Sequence, residues 1–200
     1  METSSHVRSR SVATLARIVT VVLVVLTVAV GAIVASNVVG AVRGGHEVAV
    51  GTELGGAHLT GVPRGVTRPD TVPVVFHVRD ASAGQLGMAT ARDVLPLVVV
   101  LVLLVLARGL LGSVRTGDPF TAENVRRLRT MAMVLVIGFP LAQLLASGIA
   151  TSLASSAHVH SRGLQVSIPG PGPIAGLGVF ALAAVFAHGV QLRDDLDGTV

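Results

Sequence analysis

The chain has 200 residues, is 51% hydrophobic, and carries charge at only 13% of its positions. A soluble domain devotes about a quarter of its residues to charge, so this chain could not cover a globular surface in water, and lipid must cover part of it. The net charge is +4, every basic residue is arginine, and cysteine is absent, which excludes disulfides, thiolate metal sites and cysteine nucleophiles; the arginines are not gathered on one water-exposed face as direct nucleic-acid binding requires.

Four apolar runs, 18–35, 94–111, 131–151 and 173–190, are predicted to be transmembrane helices. A hydrocarbon core of about 30 Å takes about 20 helical residues, and an unpaired backbone amide in lipid costs several kcal/mol, so even valine-rich runs are driven to helix. Residues 1–17 form a leader with Arg8, Arg10 and Arg17. The run that follows is longer than the roughly 7–15 residues of a signal-peptide core, and it reads as a retained span. Between Val94 and Ala107 every residue but Pro96 and Ala107 is Val or Leu, which favours insertion by about 4–7 kcal/mol. Pro96 falls in the first turn, where its missing donor was unpaired anyway. Pro140 lies mid-span in the third run, where it frees a carbonyl and kinks the helix. The fourth run is weaker, rich in Ala and Gly, and needs its neighbours.

Arginine counts set the expected orientation. Arg108, Arg115, Arg126, Arg127 and Arg129 lie in or beside the connection 112–130, whereas the segment 152–172 holds only Arg162. Positively charged short connections stay inside, so both termini are expected in the cytoplasm and residues 36–93 and 152–172 outside. Val74, Phe76 and Val78 alternate with Val75, His77 and Arg79, the period of a strand. Glu47–Leu54, His58–Val62 and Leu164–Ile168 are weaker strand candidates. The expected fold is an all-α membrane bundle of four transmembrane helices, with a small extracytoplasmic β-sheet drawn from the two outer loops.

The connection 112–130 reads as a basic interfacial helix. Thr121 is a suitable N-cap and Glu123 suits the first turn, while Phe120 and Val125 occupy hydrophobic-staple positions. Val125, Leu128 and Ala132 are expected to face lipid, with Arg126, Arg127 and Arg129 reaching phosphate. The tail 191–200 carries Asp194, Asp195 and Asp197 on the same side. These are open to pairing with those arginines or to plain solvation, since exposed pairs contribute only ~0–1 kcal/mol.

Small residues repeat every four positions in the third span (Gly138, Ala142, Ala146, Ala150) and share a face of the fourth (Gly172, Gly176, Ala183, Ala187). Such faces let two helix backbones approach closely, which points to packing of the third span on the fourth. A homo-oligomer seam is the second reading.

Two stretches carry a family resemblance: Gly117-Asp118-Pro119-Phe120-Thr121-Ala122-Glu123-Asn124-Val125-Arg126-Arg127-Leu128-Arg129, and the ending Phe186-Ala187-His188-Gly189-Val190-Gln191-Leu192-Arg193-Asp194-Asp195-Leu196-Asp197-Gly198-Thr199-Val200. Both resemble signatures of the bacterial DUF2975 family. The resemblance implies a small four-span protein of a bacterial cell membrane, often encoded beside a small helix-turn-helix regulator, and it transfers no catalytic residue.

No Asp, Glu, Lys or Arg lies near the centre of a span, and coupled carriers need intramembrane ionisable groups. His46, His58, His77, His158 and His160 would suit zinc only with further ligands at proper spacing, and solvated loop histidines are expected, with no metal or cofactor. The reading is a non-enzymatic regulatory or sensory membrane partner. Its partners are expected to be lipid and a cytoplasmic helix-turn-helix regulator or other protein. The rival reading is a small permease or channel subunit.

Overall fold

A computed structural model describes residues 3–43, 47–55, 71–156 and 170–197. In chain order these form α1 (Thr3–Arg43), β1 (Val48–Gly55), β2 (Thr71–Val78), α2 (Ala83–Arg115), α3 (Ala122–Met133), a π-turn (Val134–Gly138), α4 (Phe139–Ser156) and α5 (Gly172–Asp197). Four stretches, Ala13–Gly40, Ala83–Arg115, Ala122–Ser156 and Gly172–Leu196, are long and apolar enough to cross a membrane. The fold is therefore all-α and membrane-spanning, with one small sheet. The helices overrun the apolar runs of the sequence: α2 begins at Ala83 rather than 94, and α5 continues to Asp197 rather than ending at 190. The early start of α2 places Pro96 inside the helix rather than in its first turn as expected, so the helix runs on past a proline that cannot donate to the Arg92 carbonyl.

The third span is not one regular helix. Phe139 donates its N–H to Val134 O, a bond one residue longer than an α-turn, immediately before Pro140. Proline cannot donate to the carbonyl four residues back, and its ring crowds that carbonyl. The wider turn absorbs the misfit in the ladder just before the proline.

The chain divides into two compact units, one comprising Met1–Val30, Leu97–Ala142 and Pro169–Val200, the other Gly31–Pro96 and Gln143–Ile168. In the second unit β1 and β2 pair antiparallel, from Val48 opposite Val78 to Gly55 opposite Thr71. The sheet described is thus drawn from the first interhelical segment. The candidate strands His58–Val62 and Leu164–Ile168 lie outside the described residues. Val48 is buried with Leu86, Ala89, Leu153 and Ala154, and Val78 and Ala81 pack against them. Glu47 holds Arg79 at 3.1 Å, and Arg92 donates to Ala49 O at 3.1 Å, which ties the start of β1 to β2 and to α2.

Two devices start α2 where hydropathy does not. Asp80 takes a positive φ of 54°, a conformation Asp tolerates better than most residues. Ser82 and Gln85 then form a capping box, the Ser82 N–H donating to Gln85 Oε1 and the Gln85 N–H to Ser82 Oγ. Asn37 of α1 donates to Thr90 Oγ1 of α2 at 2.8 Å. Beside this bond lies an open apolar groove of about 380 Å³ whose lining includes Val34, Val38, Leu86 and Gly87.

In the first unit α3 and the π-turn pack on α5. A Cβ built on Gly176 would stand 2.6 Å from Val136 Cγ2, 2.9 Å from Leu135 Cβ and 3.1 Å from Ala132 O. Only glycine admits so close an approach of α5 to the segment bearing the π-turn.

Candidate functional site at the α2–α3 connection

The most elaborate polar arrangement among the described residues surrounds the segment that joins α2 to α3. It begins with the end of α2. Gly117 adopts φ +85°, its N–H donates to Val114 O, and the Asp118 N–H donates to Ser113 O. This pair of bonds is a Schellman closure, which requires the left-handed residue that glycine supplies without strain. Thr121 then caps α3, its side chain accepting from the Asn124 N–H at 3.2 Å.

Asn124 is the centre. Its exposure is 0%. Its Nδ2 donates to Ser113 Oγ on α2 and to Pro119 O in the connection. Its Oδ1 accepts from Arg127 Nη1 at 3.1 Å, and the same Nη1 donates to Gly109 O at 3.0 Å. One amide therefore joins α2, the connection and α3, and one guanidinium fastens α3 to the α2 backbone. Glu123 completes the arrangement, with Arg127 Nε at 3.3 Å and Arg126 Nη2 at 2.7 Å. A fully buried amide left unpaired would cost about 1–3 kcal/mol; here both of its polar atoms are bonded, so burial makes the segment rigid.

The end of α5 closes the site from another side. The Phe120 ring lies 5.1 Å from that of Phe186, tilted by 39°. A Cβ on Gly189 would come within 2.7 Å of Phe120 Cδ1. Arg193 pairs with Asp118. Gly189→Leu is accordingly expected to unseat Phe120 and raise proteolytic nicking in the α2–α3 connection several-fold, measured by limited proteolysis in detergent. Unchanged cleavage would show that the ring does not hold the connection.

These placements correct parts of the interfacial-helix expectation. Val125, Leu128 and Ala132 are 8%, 2% and 0% exposed, so they face protein rather than lipid. Arg127 turns inward, whereas Arg126 and Arg129 remain exposed. Phe120, at its staple position, also rests on α5 against Phe186 and Gly189. The acidic tail shows the opposite sense of pairing: tail Arg193 meets Asp118 of the connection, while Asp194 and Asp195 are exposed without a pairing to Arg126, Arg127 or Arg129 among the described residues. The side chain of Asp197 lies outside the described ones.

Of the small-residue positions, Gly176 meets the π-turn segment and Gly172 meets the Phe139 ring, with a built Cβ 3.1 Å from Cδ1. Ala142, Ala146 and Ala183 are buried, and Gly138, Ala150 and Ala187 are half-buried. Of the candidate metal histidines only His77 is described. It is 3.8 Å from Glu47 with its side chain 60% exposed. His46, His58, His158 and His160 lie outside the described residues.

Sequence reasoning passed over Asn124, Ser113, Gly109, Asp118 and Arg193 as functional positions. One signal was present: Asn124, Leu128 and Ala132 recur every four residues, so a polar amide stands on the stripe that α3 buries. Four transmembrane helices, a small sheet and a signature-bearing connection held by a buried amide define a multi-pass membrane protein. Residues 71–200 match the family model described as a protein of unknown function, DUF2975, and the chain belongs to that family. Comparison with curated proteins and with solved structures yields no match.

Proposed function

We propose that this chain is a non-enzymatic regulatory or sensory partner in a bacterial cell membrane, with both termini cytoplasmic and the α2–α3 connection as its recognition element. One observation carries the reading. The polar signature residues Asp118, Thr121, Asn124 and Arg127 bond within the fold, which leaves a stiff segment whose free face displays Arg126 and Arg129. A rigid scaffold presenting charged side chains suits docking, since less ordering entropy is lost on binding. The proposed protein partner is a cytoplasmic regulator of the helix-turn-helix kind that the family resemblance implies.

The absence of native cysteine makes the test direct. A single Ala122→Cys variant carrying a photo-crosslinker is expected to capture one cytoplasmic protein in native membranes, and a further Arg129→Glu change is expected to abolish that capture. Capture of other copies of the chain alone would contradict the reading, and solute flux through purified proteoliposomes would replace it with the permease. The same cysteine is expected to resist a membrane-impermeant maleimide applied to intact cells. Ready labelling there would reverse the orientation.

A further inference from the structure

We propose that the chain self-associates in the membrane through one face of α4, where the Gln143 amide pairs with the same amide of a second copy. Gln143 is the one exposed polar side chain between Met131 and Ala150 among the described residues, and its amide makes no hydrogen bond with any of them. Its exposed neighbours on α4 are Leu141, Leu144 and Leu145, which lipid accommodates. Hydrocarbon offers a carboxamide neither donor nor acceptor, and leaving that group unpaired there is costly.

Depth narrows the partner. Gln143 stands within the apolar run 131–151, about 18 Å along the helix from its first residue and about 12 Å from its last. Neither headgroup region is within reach of the side chain, so whatever satisfies the amide must itself sit deep in the membrane. A second copy meets that condition by symmetry. The same chain inserted in the same direction carries the same amide at the same depth, and a two-fold axis along the membrane normal brings the two together. A primary amide supplies both donor and acceptor, so the pair exchanges two hydrogen bonds. The surrounding face allows the approach. Ser147 and Ala150, half-buried, follow Gln143 at the spacing of one helix face. Both are small and neither is charged, so two backbones can come close without repulsion. This seam differs from the small-residue stripe read in the sequence, since Ala142 and Ala146 are 4% and 9% exposed and already covered within the chain.

The test labels the full chain at Ala122→Cys in two pools, one with a donor fluorophore and one with an acceptor, and reconstitutes both into phosphatidylcholine bilayers at graded protein-to-lipid ratios. Energy transfer is expected to rise with density and saturate, as a dimer requires. Gln143→Leu should raise the density needed for half-association about tenfold, the ratio that two interhelical hydrogen bonds supply. Gln143→Asn, which keeps the amide, should lose less. The leucine removes no hydrogen bond from within the chain, so its circular dichroism should match the parent. Single cysteines then locate the face. Oxidation should link two copies of Ala150→Cys by a disulfide and leave Leu145→Cys, on the far side of α4 from Gln143, unlinked. Energy transfer no greater than random proximity gives, a Gln143→Leu chain that associates as the parent does, or linkage through Leu145→Cys in preference to Ala150→Cys would each overturn the seam. None of these outcomes bears on the proposed cytoplasmic partner, whose capture depends on Arg129.

Discussion

Asn124→Ala is expected to lower the stability of the protein by about 2–4 kcal/mol, the largest effect of any single change in the α2–α3 connection. The substitution strips the partners from Ser113 Oγ, Pro119 O and Arg127 Nη1 together, and each buried group left unpaired costs about 1–3 kcal/mol. The total falls below a simple sum because Ser113 Oγ still donates to Leu110 O and Arg127 still donates to Gly109 O. Asn124→Asp should be nearly as damaging, despite its matching shape. It replaces two donors with acceptors, one of them facing the Pro119 carbonyl, at a position with no solvent exposure. Ser113→Ala, which removes one partner of several, should cost about 1 kcal/mol. Thermal unfolding in detergent, followed by circular dichroism at 222 nm, measures the series. Equal midpoints for Asn124→Ala and Ser113→Ala would deny the amide its central place.

Gly176→Ala and Gly178→Ala should move stability in opposite directions, although they lie two residues apart on α5. At Gly176 the added methyl meets Leu135 Cβ at 2.9 Å and Ala132 O at 3.1 Å as well as Val136 Cγ2 at 2.6 Å. The valine methyl can rotate away, but the other two atoms cannot yield without moving the backbone. The cost is that of overpacking, about 1–3 kcal/mol. At Gly178 a Cβ meets nothing within 4 Å, so alanine should be neutral or gain about 0.5–1 kcal/mol from helix propensity. Equal effects at both sites would mean that α5 does not approach the π-turn as closely as described.

Much of the membrane architecture was legible in the residues. The valine and leucine run after Val94 admits no solvent but lipid, and the alternation through Val74–Val78 marked β2 without outside help. Thr121 announced the start of α3 by cap chemistry alone. The π-turn was not legible. Pro140 predicts a disturbed ladder, but that the disturbance takes the form of a wider turn depends on what packs beside it, here Gly176 of α5. The partner of Val125, Leu128 and Ala132 was not legible either, because an apolar stripe beside a membrane serves equally to meet lipid or another helix.

The sequence by itself determined that lipid is the solvent for four stretches, because no arrangement of so few charges could cover this much apolar chain in water. It also determined where α3 begins and that the tail and the connection carry opposite charges. Tertiary structure alone decided that Arg127 turns inward to Gly109 O while Arg129 stays outside, and that Arg193 answers Asp118. The reason is physical: burial, capping and hydropathy are properties of a residue and its near neighbours. The direction taken by a long charged side chain is set by which unpaired carbonyl or carboxylate the packing of distant helices brings within its reach.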